Sequence, residues 1–132
     1  MEILNKSHFY HNKFIVFGHR GVPSLCQENT LESFKMAVDL NYDGIELDVV
    51  KTNDNILIVH HDAEVLIKNQ LRSIKDLQYK EVLEFDSNIP TLEAVLDTFG
   101  HRININIEIK SQGPESKEVP TKVIALLKKF NL

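Results

Sequence analysis

From Ile103 to Lys110, isoleucine takes every second position, with Asn104, Asn106, Glu108 and Lys110 between. A period of two marks an extended strand, because successive side chains leave opposite faces. One face is then wholly aliphatic and needs cover, while the other ends in a carboxylate and an ammonium. Helical periodicities elsewhere supply the cover. Leu31, Phe34, Ala37 and Val38 predict a helix from about Thr30 to Leu40, and Asn29 with Glu32 resembles a capping box at its start. Pro90-Thr91 opens a second helix with Leu92, Val95, Leu96 and Phe99 on one face and Gly100 beyond its end. Pro120 stands near the start of a third, carrying Val123, Ile124, Leu127 and Phe130.

Three further apolar runs read as strands. Phe14–Phe17 is a short buried strand leading into a Gly18-His19-Arg20-Gly21 loop. Ile45-Glu46-Leu47-Asp48-Val49 alternates, with two carboxylates on one face. Ile56–Val59 is fully apolar and runs into His60-His61-Asp62 after a turn at Asn53-Asp54-Asn55. The stretch from Ala63 to Asn88 is the least regular, with short helices expected around 74–77 and 81–85. Gly113-Pro114 ends the isoleucine strand. The order β-α-β-β-α-β-α predicts βαβ units and a mainly parallel sheet.

The residues able to do chemistry gather at strand ends. His19 and Arg20 follow the first strand, Glu46 and Asp48 close the second, His61 ends the third, and Glu108 and Lys110 end the fourth. In parallel α/β architectures that edge carries the active site. Converging carboxylates raise one another's pKa or require a cation, and hard oxygen donors without thiolates favour Mg²⁺, Ca²⁺ or Mn²⁺ over zinc.

Composition narrows the classes. With 42% hydrophobic and 26% charged residues, the 132-residue chain reads as globular. A net charge of −4 disfavours nonspecific nucleic-acid binding, so an anionic substrate must be drawn by a bound cation or a few placed Arg and Lys residues. The single cysteine, Cys26, makes no internal disulfide and reads as a small packing or loop residue. No apolar run is long enough for a transmembrane helix, and the polar start has no signal-like apolar core, so a cytoplasmic protein is expected. His8 and His11 have metal-compatible spacing but no third ligand, and read as part of a frayed terminal segment.

His19-Arg20-Gly21, Glu28-Asn29-Thr30 and Gly44-Ile45-Glu46-Leu47-Asp48-Val49 resemble the opening signature of glycerophosphodiester phosphodiesterases. His61-Asp62, Ile89-Pro90-Thr91-Leu92-Glu93 and Ile107-Glu108-Ile109-Lys110 continue it in order. The resemblance runs from about Phe14 to Lys110 and departs at Gln27, where the family usually has proline. It implies a TIM-type (β/α)₈ barrel and metal-dependent cleavage of glycerophosphodiesters into glycerol 3-phosphate and an alcohol. Glu46, Asp48 and Glu108 would hold a divalent cation, Mg²⁺ or Ca²⁺. His19 and His61 would be the acid/base pair, with Arg20 and Lys110 near the phosphate.

Residues 1–13 are then an N-terminal extension, and 14–132 a partial barrel. A complete barrel takes about eight strands and ~250 residues, so roughly the first four strands are expected. Exposed strand edges suggest half-barrels completing each other in a homo-oligomer. Two alternatives remain open at this level: a lysophospholipase D or sphingomyelinase D-like phosphodiesterase, and a catalytically silent half-barrel that binds only metal or a partner.

Overall fold

The structure, a computed structural model, describes residues 14–110 and 117–132. His8, His11 and the Gly113-Pro114 break lie outside the described residues. No helix of the described residues is long and apolar enough to cross a membrane.

The spine is β2 (Gly44–Lys51), an eight-residue strand whose two faces have opposite chemistry. Ile45, Leu47 and Val49 are completely buried on one face. They pack against Phe34 and Ala37 of α1 (Leu31–Asp39), Leu92, Val95, Leu96 and Phe99 of α3 (Leu92–Phe99), and Val119 and Val123 of α4 (Glu118–Lys129). Phe34 and Phe99 meet edge to face with centroids 6.2 Å apart. Each fully buried aliphatic or aromatic side chain contributes about 1.5–3 kcal/mol, so this layer fixes how the helices sit on the sheet. Glu46 and Asp48 necessarily occupy the other face.

Two strands flank β2 in parallel, as expected. β1 (Phe17–His19) sets Phe17 opposite Gly44 and His19 opposite Glu46. Gly44 is needed there, because a Cβ would come within 2.2 Å of the Phe17 ring. β6 (Asn104–Ile109) pairs along the other side of β2, from Gly44↔Asn104 to Val49↔Ile109. Its Ile105, Ile107 and Ile109 are half-buried against the helical core. Among the described residues, β6 is paired on that edge alone.

The first strand begins later than the apolar run suggests. Phe14 and Val16 are 78% and 52% exposed, and the paired residues are Phe17 to His19. Hydrophobicity marks where a strand can form; pairing with β2 decides where it does.

The third expected strand runs the other way. β3 (Leu57–Val59) is antiparallel to β2, with Lys51↔Leu57 and Val49↔Val59. The five-residue connection at 52–56 is too short for a parallel crossover, which takes a dozen or more residues. The architecture is thus a partial (β/α) barrel of three parallel strands, with β3 extending one edge.

After β3 the chain makes an excursion. β4 (Glu64–Ile67) and β5 (Gln70–Ser73) form an antiparallel hairpin, followed by a 3-10 turn at Ile74–Asp76 and α2 (Tyr79–Phe85). The 3-10 turn and α2 match the two expected short helices, but the sequence reading contains no hairpin. Val65, Ile74, Leu77, Val82 and Ile89 form a second small core with Val50 and Ile58. It covers the last residues of the β2 face that carries Glu46 and Asp48.

A candidate cation site between two histidines

The register places both histidine segments on one side of β2. Glu46 is opposite His19 and Asn106, and Val49 is opposite Val59 and Ile109. Since β6 occupies one side at both levels, β1 and β3 must share the other. β1 runs up it and stops at His19. β3 runs down it and stops at Val59, whose neighbour His60 donates its backbone N–H to Asp48 O at 3.0 Å. His19 and the His60-His61 segment therefore approach from opposite directions. The strand-end reading of His61 assumed a parallel strand; the antiparallel one brings the neighbouring His60 backbone beside Asp48.

Glu46 and Asp48 lie inside β2 rather than at its end, because pairing with β3 extends the strand to Lys51. Asp48 is opposite Glu108 on β6. One carboxylate oxygen from each of Glu46, Asp48 and Glu108 lies within 4.8 Å of the others. Asp48 is 1% exposed and Glu46 8%, whereas Glu108 stands at the open rim.

Electrostatics fit a site for a cation. Burial foremost, and the Asp48 charge next, push the Glu46 carboxyl above its ordinary range. Its Oε2 accepts the Arg20 backbone N–H at 3.1 Å and lies 3.8 Å from His19 Nε2. Its Oε1 is buried with no hydrogen-bond partner among the described residues. A buried acceptor without a donor costs roughly 1–3 kcal/mol, more when charged, and a hard cation would satisfy it.

Two basic side chains partly balance the acids. Arg20 Nε lies 3.3 Å from Asp48 Oδ2, and its Nη1 donates to both Glu28 oxygens at 3.1 and 3.3 Å. Lys110 pairs with Glu108 and stands 3.4 Å from Asp48 Oδ1. The bond to Glu108 foremost raises the Lys110 ammonium above its ordinary range.

His61 Nδ1 is 2.7 Å from Asp62 Oδ1, and this bond foremost holds the Asp62 carboxyl below its usual range. His60 is a half-buried imidazole, edge to face with Phe85 at 6.3 Å, and desolvation lowers its pKa.

Local turns explain the His19-Arg20-Gly21 segment. Gly21 has φ +91°, and a Cβ there would lie 2.2 Å from Ser33 Oγ. That close approach lets Ser33 Oγ accept from Val22 N–H at 2.7 Å and reach Arg20 O at 3.3 Å. The loop is thereby tied to the first turn of α1.

The sequence reading missed two participants. Glu28 appeared only within a motif, yet it holds Arg20. Asn29 appeared as a helix cap, but the cap is Thr30, whose Oγ1 accepts from Ser33 N–H at 3.2 Å. Asn29, buried at 3% exposure, turns instead to Asp48. Thr30 with Ser33 at the fourth position of the motif was the available signal for the true cap.

Fold and site together define an α/β partial barrel in which three clustered carboxylates lie beside His19. The family profile described as Glycerophosphoryl diester phosphodiesterase family matches residues 19–131, and the chain belongs to that family. It is 36% identical over 132 aligned residues to a glycerophosphodiester phosphodiesterase of Caldanaerobacter subterraneus subsp. tengcongensis, covering 90% of this chain and 54% of that protein. It is also similar to the crystal structure of the glycerophosphodiester phosphodiesterase from Thermotoga maritima, with TM-score 0.76 and 33% identity, covering 90% of this chain and 52% of that one. The Agrobacterium tumefaciens enzyme of that name gives TM-score 0.74 at 27% identity, covering 89% and 53%. The chain spans about half the length of the curated relatives it matches.

Proposed function

We propose that this chain carries the acid–base and cation-holding part of an enzyme that hydrolyses glycerophosphodiesters to glycerol 3-phosphate and an alcohol. The observation that carries the reading is the cluster of Glu46, Asp48 and Glu108 with His19 Nε2 3.8 Å from Glu46, on the side of β2 to which β3 returns the His60-His61 segment. Membership of the family supports it.

Glu46, Asp48 and Glu108 would hold Mg²⁺ or Ca²⁺, and the partnerless Glu46 Oε1 supports their doing so. When bound, such an ion neutralises phosphoryl oxygens and polarises a hydroxyl or water. The side chains supply the proton transfers. One imidazole of His19 and His61 takes the proton of the attacking oxygen, and the other gives a proton to the leaving alkoxide. Asp62 holds His61 through Nδ1, which leaves Nε2 for that transfer. Arg20 and Lys110 offset charge on the phosphoryl oxygens, their own charge being held at the centre by Glu28, Asp48 and Glu108. A cytoplasmic setting belongs to the same reading.

The test is glycerol 3-phosphate release from glycerophosphocholine, with Mg²⁺, with Ca²⁺ and in chelator. Release that depends on the cation and falls about 10²- to 10⁴-fold in His19→Ala is expected. Release indifferent to that substitution sinks the assignment.

A further inference from the structure

We propose that Asn29 is a positioning residue that turns the Asp48 carboxylate so that one oxygen remains for a cation; this rests on the cation reading above. Asn29 Nδ2 donates to Asp48 Oδ2 at 3.0 Å, and Asn29 Oδ1 faces the Asp48 backbone N–H at 3.5 Å. The amide thus meets both the side chain and the main chain of one residue. Arg20 Nε lies 3.3 Å from the same Oδ2. Among the described residues, Oδ2 takes a hydrogen bond from Asn29 and an ion pair without a hydrogen bond from Arg20 Nε, while Oδ1 faces the Lys110 ammonium alone, at 3.4 Å. Pinning one oxygen of a carboxylate fixes where its other oxygen points.

Asn29 is itself held. Its backbone N–H donates to Arg20 O at 2.9 Å, and Thr30 follows it directly as the cap of α1. Its φ of 55° lies in the left-handed region, which asparagine enters more readily than most residues. The donor is also neutral. A lysine or arginine in its place would add positive charge beside Asp48 and compete with a divalent ion. A neutral amide orients the carboxylate and leaves its charge available. Asparagine meets three demands at once: left-handed backbone, donor at the right reach, and no charge.

The backbone demand and the donor demand can be separated. Asn29→Gly keeps the left-handed conformation and deletes the amide. Asn29→Asp keeps shape and backbone tolerance but replaces the donor with an acceptor. Thr30→Ala loosens the helix start and leaves the amide in place. The measurement is Mn²⁺ affinity of the full chain, read from loss of the free-ion paramagnetic resonance signal, with circular dichroism as the check on folding.

Wild type and Thr30→Ala are expected to bind alike, and Asn29→Gly and Asn29→Asp about 10- to 100-fold more weakly. Wild-type affinity in a folded Asn29→Gly overturns the positioning role and leaves the cation reading intact. Equal weakening in Thr30→Ala overturns it too, since loosening the helix start would then suffice. If neither Asn29 variant folds, the residue is structural and the proposal fails. If wild type itself takes up no Mn²⁺, the cation reading fails first.

Discussion

Asp62 follows His61 directly, and its carboxylate oxygen sits 2.7 Å from the ring nitrogen. On the proposed function, a side chain held this way would act through its neighbour rather than on substrate. Asp62→Asn keeps the shape and exchanges the charged acceptor for an amide. It should lower kcat for glycerol 3-phosphate release about 10- to 100-fold with little change in KM. A change confined to KM would instead put Asp62 on the substrate. At this scale much was legible, because residue type and strand parity are local properties. The carboxylates of Glu46, Asp48 and Glu108 come together as their alternation implied. Asn29 was not legible as a partner of Asp48, since that depends on a left-handed backbone across 19 residues of chain.

At the scale of elements, the turn between β2 and β3 shows how the excursion is tied down. Asp54 Oδ1 accepts from Thr52 Oγ1 at 2.7 Å and from the Tyr79 backbone N–H at 3.0 Å, at the first turn of α2. Desolvation is the largest single influence and raises its pKa, but these bonds together outweigh it, so the carboxyl titrates below 3.8. A carboxylate depressed on folding stabilises the protein above its unfolded pKa, and that stability is lost as pH falls through the folded one. Asp54→Ala should therefore cost about 1 kcal/mol at pH 7. In urea titrations the gap to wild type should shrink once pH drops below 3.8; a gap constant down to pH 3 would deny the charge any part.

The same scale shows where local reading failed. Helices α1, α3 and α4 followed from apolar spacing, since each lays one stripe on the sheet. The hairpin β4–β5 did not, because its strands are only four residues each and mostly exposed. Its turn, Lys68-Asn69, takes left-handed φ at both positions without the Asn-Gly pair that usually announces one.

For the molecule as a whole, an ion held at the acidic centre as proposed would couple binding to folding. A ligand that binds only the folded state stabilises it by about 2.7 kcal/mol at a hundred times its Kd. Saturating Mg²⁺ or Ca²⁺ should accordingly raise Tm over that in chelator, and Glu46→Gln should abolish most of the rise. A shift unchanged in Glu46→Gln would place binding elsewhere on the surface.

Sequence alone determined which residues are aliphatic, which are chemically able, and how they alternate, because periods of two and 3.6 are set by the local backbone. That was enough for the α/β class, the three main helices and the isoleucine strand. Tertiary structure decided the direction of β3, the shared side of β2 on which the histidine segments meet, and the turning of Asn29 to Asp48. Each depends on contacts between distant parts of the chain, fixed when Ile45, Leu47 and Val49 bury one face of β2 and leave Glu46 and Asp48 no other place to go.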